Sequence, residues 1–132
     1  MNMELRDKKK HNVSLKGYLE DFKYAKDGLK SAYQNEQSLW LHAICTIGII
    51  ILGFLLQISF NEWAVIVIAL VIVLVVELLN TAIEATVDLV TEEKKPMAKV
   101  AKDCASGAVG IISIIALIIG IMIFLPKIIA LF

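Results

Sequence analysis

Residues 64–76 read "AVIVIALVIVLVV" and run directly into residues 77–89, "ELLNTAIEATVDL". The first part is continuously apolar, as a helix must be to cross a hydrocarbon core about 30 Å thick with about 20 residues. The second part carries two glutamates, an asparagine and an aspartate into the same helix. At 3.6 residues per turn, Glu77, Asn80, Thr81, Glu84, Asp88 and Thr91 fall within about 100° of one another and form one polar stripe.

The rest of the chain has the same character. Of its 132 residues 58% are hydrophobic, and the mean hydropathy of +0.76 excludes an ordinary soluble globular domain. Three stretches predict membrane spans: residues 39–58, 64–90 and 104–125. They lack the alternation of barrel strands, so the fold class is all-α integral membrane. The charged opening "MNMELRDKKK" is followed by no apolar core within about twenty residues, so no cleaved signal is expected and the first span stays. Residues 1–132 are expected to form one domain.

Before the first span, "SLKGYLEDFKYAKDGLKSAY" (residues 14–33) places Leu15, Tyr18, Leu19, Phe22, Ala25, Leu29, Ala32 and Tyr33 at helical spacing, with Lys16, Lys23, Lys26 and Lys30 mostly off that stripe. An amphipathic helix over residues 14–36 follows, lying on the membrane surface or packed on other protein. The connector "SFNEW" has no Lys or Arg, whereas eight of the 13 Lys/Arg precede residue 37 and four lie in residues 94–102. The positive-inside rule then makes the N-terminus and residues 94–102 cytoplasmic and the C-terminus external. Pro96 is expected to end the second helix or its extension. Gly107, Gly110, Ala116 and Gly120 are expected to allow close helix packing, and Cys45 and Cys104 to act as small apolar packing residues.

An ionisable residue at the centre of a span costs about 2.5–3.5 kcal/mol on insertion scales, so the stripe calls for a purpose. A hydrogen-bonded core fixing helix pairing is one reading, and a cation-carrier site is another. Chemistry is the third. Glu77 and Glu84 are about 10 Å apart along the axis at 1.5 Å per residue, too far to chelate one ion directly at about 2.1 Å. Separate roles fit: the deeper Glu77 as general base, Glu84 as a magnesium ligand. Glu36 at the start of the first span offers a second carboxylate, and Lys102 and Asp103 enter the third span beside Lys94, Lys95 and Lys99. Carboxylates beside lysines at an apolar boundary suit phosphoryl transfer from a magnesium nucleotide to a lipid hydroxyl. There is no GxxxxGK[ST] loop and no GxGxxG fingerprint. His11 reads as solvated and His42 as a packed polar residue.

The pattern E-x-x-N-[ST]-A-I-E, matched from Glu77 through Glu84, resembles the prokaryotic diacylglycerol kinase family, small integral-membrane lipid kinases. "GLKSAYQNE" (residues 28–36) and "AKDCASGAV" (residues 101–109) resemble it in register with the first motif. The resemblance implies ATP as phosphoryl donor, Mg²⁺ with it, a membrane lipid alcohol as acceptor, a homotrimer in a bacterial plasma membrane, and no nucleic-acid partner. It implies Glu77 as the catalytic base on the lipid hydroxyl, Asn80 in support, and Glu36 and Glu84 on the metal. Tyr24 would lie near the nucleotide, and Lys102 with Asp103 would engage it. Members of the Gram-positive type mostly phosphorylate undecaprenol, which makes undecaprenyl phosphate the expected product. Diacylglycerol is the alternative acceptor, and a small cation-coupled transport subunit is the reading outside the kinase class.

Overall fold

The computed structural model describes residues 15–132. Four helices run in order: α1 (Leu15–Asn35), α2 (Gln37–Leu55), α3 (Phe60–Val90) and α4 (Pro96–Ile129). Described residues thus form an all-α fold. The chain divides into two compact units, one ending at Ser31 and one running from Ala32 to Phe132. In the first, most of α1 is solvent-accessible, including Leu15, Tyr18, Leu19 and Phe22.

In the second unit α2, α3 and α4 are each long and apolar enough to cross a membrane. With 31 and 34 residues, α3 and α4 are about 46 and 51 Å long at 1.5 Å per residue. Both exceed a hydrocarbon core of about 30 Å, which leaves room for polar turns at their ends. Large apolar side chains such as Ile47, Phe54, Ile68, Leu79, Ile111 and Leu117 are exposed. An apolar surface this extensive needs lipid or another protein against it.

The turn from α2 to α3 joins two helix-end motifs. Gln57 takes the left-handed conformation at φ 49°; its N–H donates to the Phe54 carbonyl, and the Ile58 N–H to the Gly53 carbonyl at 3.2 Å. These are the two bonds of a Schellman stop. Immediately after it, Ser59 Oγ accepts from the Glu62 N–H while the Glu62 carboxylate accepts from the Ser59 N–H at 2.6 Å, a capping box. Ile58, just before the cap, packs in one cluster with Trp63, four residues into the helix. This hydrophobic staple fixes the angle at which α3 returns along α2.

α3 and α4 pack antiparallel, pinned at one end by Asp88–Lys102 and at the other by Glu62–Lys127 at 3.1 Å. The small core sits at the Glu62 end: Ile58, Ile66 and Phe124 are buried, with Leu52, Trp63 and Ile123 around them. Gly53 is part of it, since a Cβ there would lie 2.7 Å from Trp63 Cη2.

Several expectations change. Pro96 opens α4 at its first position, where proline lacks only an N–H that the helix would leave unpaired; α3 has already ended at Val90. Gly107, Gly110 and Gly120 have no neighbour among the described residues where a Cβ would project, so the packing expected of them is not made there. Cys45 and Cys104 are both exposed rather than packed.

Candidate active site

The polar stripe occupies the second half of α3, and its spacing at i+3 and i+4 gathers its members on one face. Glu77 is the deepest, with 4% of its surface exposed. One turn on, the Thr81 hydroxyl turns back to donate to the Glu77 carbonyl at 3.1 Å. Asn80 Nδ2 donates to Glu84 Oε1, also at 3.1 Å. Among the described residues, two buried acceptors have no hydrogen-bond partner, Glu77 Oε2 and Asn80 Oδ1. A buried acceptor left so costs about 1–3 kcal/mol, and an α3 interior built only for packing would carry leucine here.

His42, read from the sequence as a packed polar side chain, faces Glu77 from α2. Its Nε2 lies 3.8 Å from Glu77 Oε2, with 27% of the His42 side chain exposed. A signal for this was present: counting back equal numbers of residues from the α2–α3 turn brings His42 within about one helical turn of Glu77. His42 and Tyr33 also line one end of an apolar groove of about 830 Å³, which continues past Ala69, Ala116 and Gly120 to Phe124.

Closer to the end of α3, Lys102 Nζ donates to Asp88 Oδ1 at 2.6 Å, and Lys99 pairs with Asp103 one turn along α4. Thr91 leaves the stripe: it is the extended residue that ends α3, and its hydroxyl accepts from the Glu93 N–H. Glu36 lies at the break between α1 and α2, partly buried, with extended backbone and no side-chain bond to the helix it precedes. Trp40 spans that break, donating its indole N–H to the Tyr33 carbonyl at 2.9 Å and meeting the Tyr33 ring edge-on. Tyr24 belongs to the unit ending at Ser31 and is exposed.

The fold therefore sets His42 beside Glu77 and bonds Asn80 to Glu84, while Lys102 pairs across to Asp88 of α3 and Asp103 pairs with Lys99 along α4. Among the described residues no three His, Cys, Asp or Glu side chains converge as a metal cage. Magnesium does not need one, because it usually takes one or two carboxylates together with phosphate oxygens and water. A carboxylate oriented by Asn80, as Glu84 is, fits that donor set.

Comparison with known proteins shows the family. The prokaryotic diacylglycerol kinase family profile matches residues 23–124, which takes in Glu36, the α3 stripe and the start of α4. The chain belongs to the prokaryotic diacylglycerol kinase family. It is 41% identical to undecaprenol kinase of Bacillus subtilis over 121 residues, covering 92% of this chain and 98% of that one. Against diacylglycerol kinase of Pseudomonas aeruginosa the identity is 37% over 99 residues, covering 75% and 80%. Against diacylglycerol kinase of Escherichia coli it is 30% over 95 residues, covering 72% and 78%. A member of this family of lipid kinases with three apolar helices of this length is a membrane protein, and the stripe of α3 lies within the family's matched region.

Proposed function

We propose that this family member transfers the γ-phosphoryl group of ATP to undecaprenol, producing undecaprenyl phosphate. The observation that carries the reading is Glu77: a carboxylate buried in an otherwise apolar helix, with one oxygen unpartnered. An acceptor whose tail cannot leave the bilayer requires its base to enter the bilayer. Glu77 takes the proton of the lipid hydroxyl as the hydroxyl oxygen attacks the γ-phosphorus, and ADP departs with the electrons of the broken P–O bond.

Glu84, oriented by Asn80, and Glu36 are the residues to hold the magnesium of ATP, which offsets charge on the phosphates. Lys102 and Asp103 flank the nucleotide. The part assigned to Tyr24 rests on family resemblance. The groove beginning at His42 gives the isoprenoid tail an apolar course along α2, α3 and α4. High identity to an undecaprenol kinase over nearly both full lengths favours that acceptor over diacylglycerol.

The working form is a homotrimer whose neighbouring copies complete each site. One observation supports it: where a Cβ would project from Gly107 and Gly110 of α4, no described residue stands, so a neighbouring copy has room to pack closely there. By the distribution of Lys and Arg, the site faces the cytoplasm of a bacterial plasma membrane, with α1 as a surface helix. A cation carrier would need polar access from both ends of its span, whereas α3 is apolar from Ala64 to Val76.

The test is transfer of label from Mg·[γ-³²P]ATP by purified protein, with undecaprenol and diacylglycerol offered in separate matched micelles. Undecaprenol is expected to be strongly preferred, and Glu77→Gln to lose at least about 100-fold in kcat while assembling normally. Equal use of both lipids would overturn the acceptor assignment, and an active Glu77→Gln the base.

A further inference from the structure

Glu77 gains a proton in every turnover, at a position from which the proton has no direct way out. The carboxylate is 4% exposed, and neither Asn80 nor Thr81 takes a proton from it: Asn80 is engaged with Glu84, and the Thr81 hydroxyl donates to the Glu77 backbone carbonyl. The atom in reach is His42 Nε2, 3.8 Å from the unpartnered Glu77 Oε2 and more exposed than the carboxylate. Imidazole is the stronger base of the two side-chain types, and its two nitrogens allow it to accept a proton on one side and release one on the other. His42 also lies only six residues from Glu36, about 9 Å along α2, hence near the end of that helix.

We infer that His42 is the proton relay behind Glu77, a positioning residue that acts through the carboxylate rather than on the substrate. The inference rests on Glu77 being the base. In the transfer step the lipid O–H bond breaks and its proton goes to Glu77, the lipid oxygen bonds to the γ-phosphorus, and ADP leaves with the electron pair. In the reset step the Glu77 O–H bond breaks, the proton moves to His42 Nε2, and the carboxylate is restored. The resulting imidazolium releases its Nδ1 proton to water, and proton exchange with water then returns the neutral ring to the tautomer with Nε2 free for the next turnover. A small closure of the 3.8 Å gap, of the kind catalytic hydrogen bonds undergo when substrate binds, suffices for direct transfer.

A purely structural reading would have His42 do no more than donate a hydrogen bond to Glu77. Glutamine can do that and cannot carry a proton, so the two readings separate. The experiment uses the full chain in mixed micelles with Mg·ATP and undecaprenol, comparing wild type, His42→Gln, His42→Ala and His11→Gln. His42→Gln is expected to keep the oligomer on size exclusion and a KM for ATP near wild type, with kcat lowered about tenfold or more. Added imidazole is expected to restore part of the kcat of His42→Ala and to leave wild type and His11→Gln unchanged. Wild-type kcat in His42→Gln would overturn the relay, as would an assembled His42→Ala that imidazole does not rescue. Failure of the kinase reading has a different signature: no transfer by wild type to either lipid, or full activity in Glu77→Gln.

Discussion

Asn80 holds Glu84 in place: its side-chain nitrogen donates to Glu84 Oε1 at 3.1 Å, one helical turn away on α3. A carboxylate fixed by a neighbour meets a cation without first ordering itself. Groups that orient metal ligands in this way are typically worth about 10–100-fold in metal affinity or activity. Asn80→Ala is therefore expected to raise the magnesium concentration at half-maximal activity by about tenfold, and Asn80→Asp to cost more through like-charge repulsion. Magnesium titration of phosphoryl transfer at saturating ATP checks this.

Lys102 and Asp88 meet at 2.6 Å, but both side chains are substantially exposed. An exposed pair contributes little to stability, because water and salt screen it. In the proposed function Lys102 serves instead through the positive charge it carries beside the nucleotide. Lys102→Gln is expected to shift the thermal unfolding midpoint only slightly and to raise KM for ATP several-fold. Asp88→Asn, which releases the ammonium, is expected to leave KM unchanged or lowered.

How much of this was legible in the sequence depends on the range of each signal. The stripe from Glu77 to Asp88 is local, set by spacing within one helix, and the structure keeps it apart from Thr91, which falls past the end of α3. His42 is a lone polar residue in an apolar run, and its meaning depends on the register between two helices. The glycines say less for a related reason. A missing Cβ says that a backbone can be approached, and only the fold says where that happens: at Gly53, not at Gly107, Gly110 or Gly120. Pro96 could end one helix or begin the next, and the extended Lys95 before it decides for the beginning.

The turn between α2 and α3 carries an evident stabilising change. Gln57 is held at φ 49°, a conformation that costs a residue with a Cβ roughly 1–2 kcal/mol and glycine almost nothing. Glycine also gives the unfolded chain more freedom, which offsets roughly 0.5–1 kcal/mol of the gain. Gln57→Gly is expected to raise stability by up to about 1 kcal/mol. Denaturation in detergent micelles measures it, and a loss of stability would mean that the Gln57 side chain contributes more than its backbone costs.

Gly53 makes the opposite case in the same turn. A Cβ there would sit 2.7 and 2.8 Å from two ring carbons of Trp63 and 3.2 Å from Ile58 Cδ1. Neither neighbour can yield without cost, since the Trp63 ring packs on Phe54 at a centroid distance of 5.0 Å and Ile58 is part of the buried cluster. Overpacking of this kind typically costs about 1–3 kcal/mol. Gly53→Ala should destabilise by that amount and Gly53→Val by more, with a change in Trp63 fluorescence. Glu77, Asn80 and Glu84 lie in the half of α3 remote from this turn, so KM for ATP in the folded variant should stay at the wild-type value. A lowered kcat at unchanged KM would mean that the α2–α3 turn sets the spacing of His42 and Glu77 at the other end of the same helix pair.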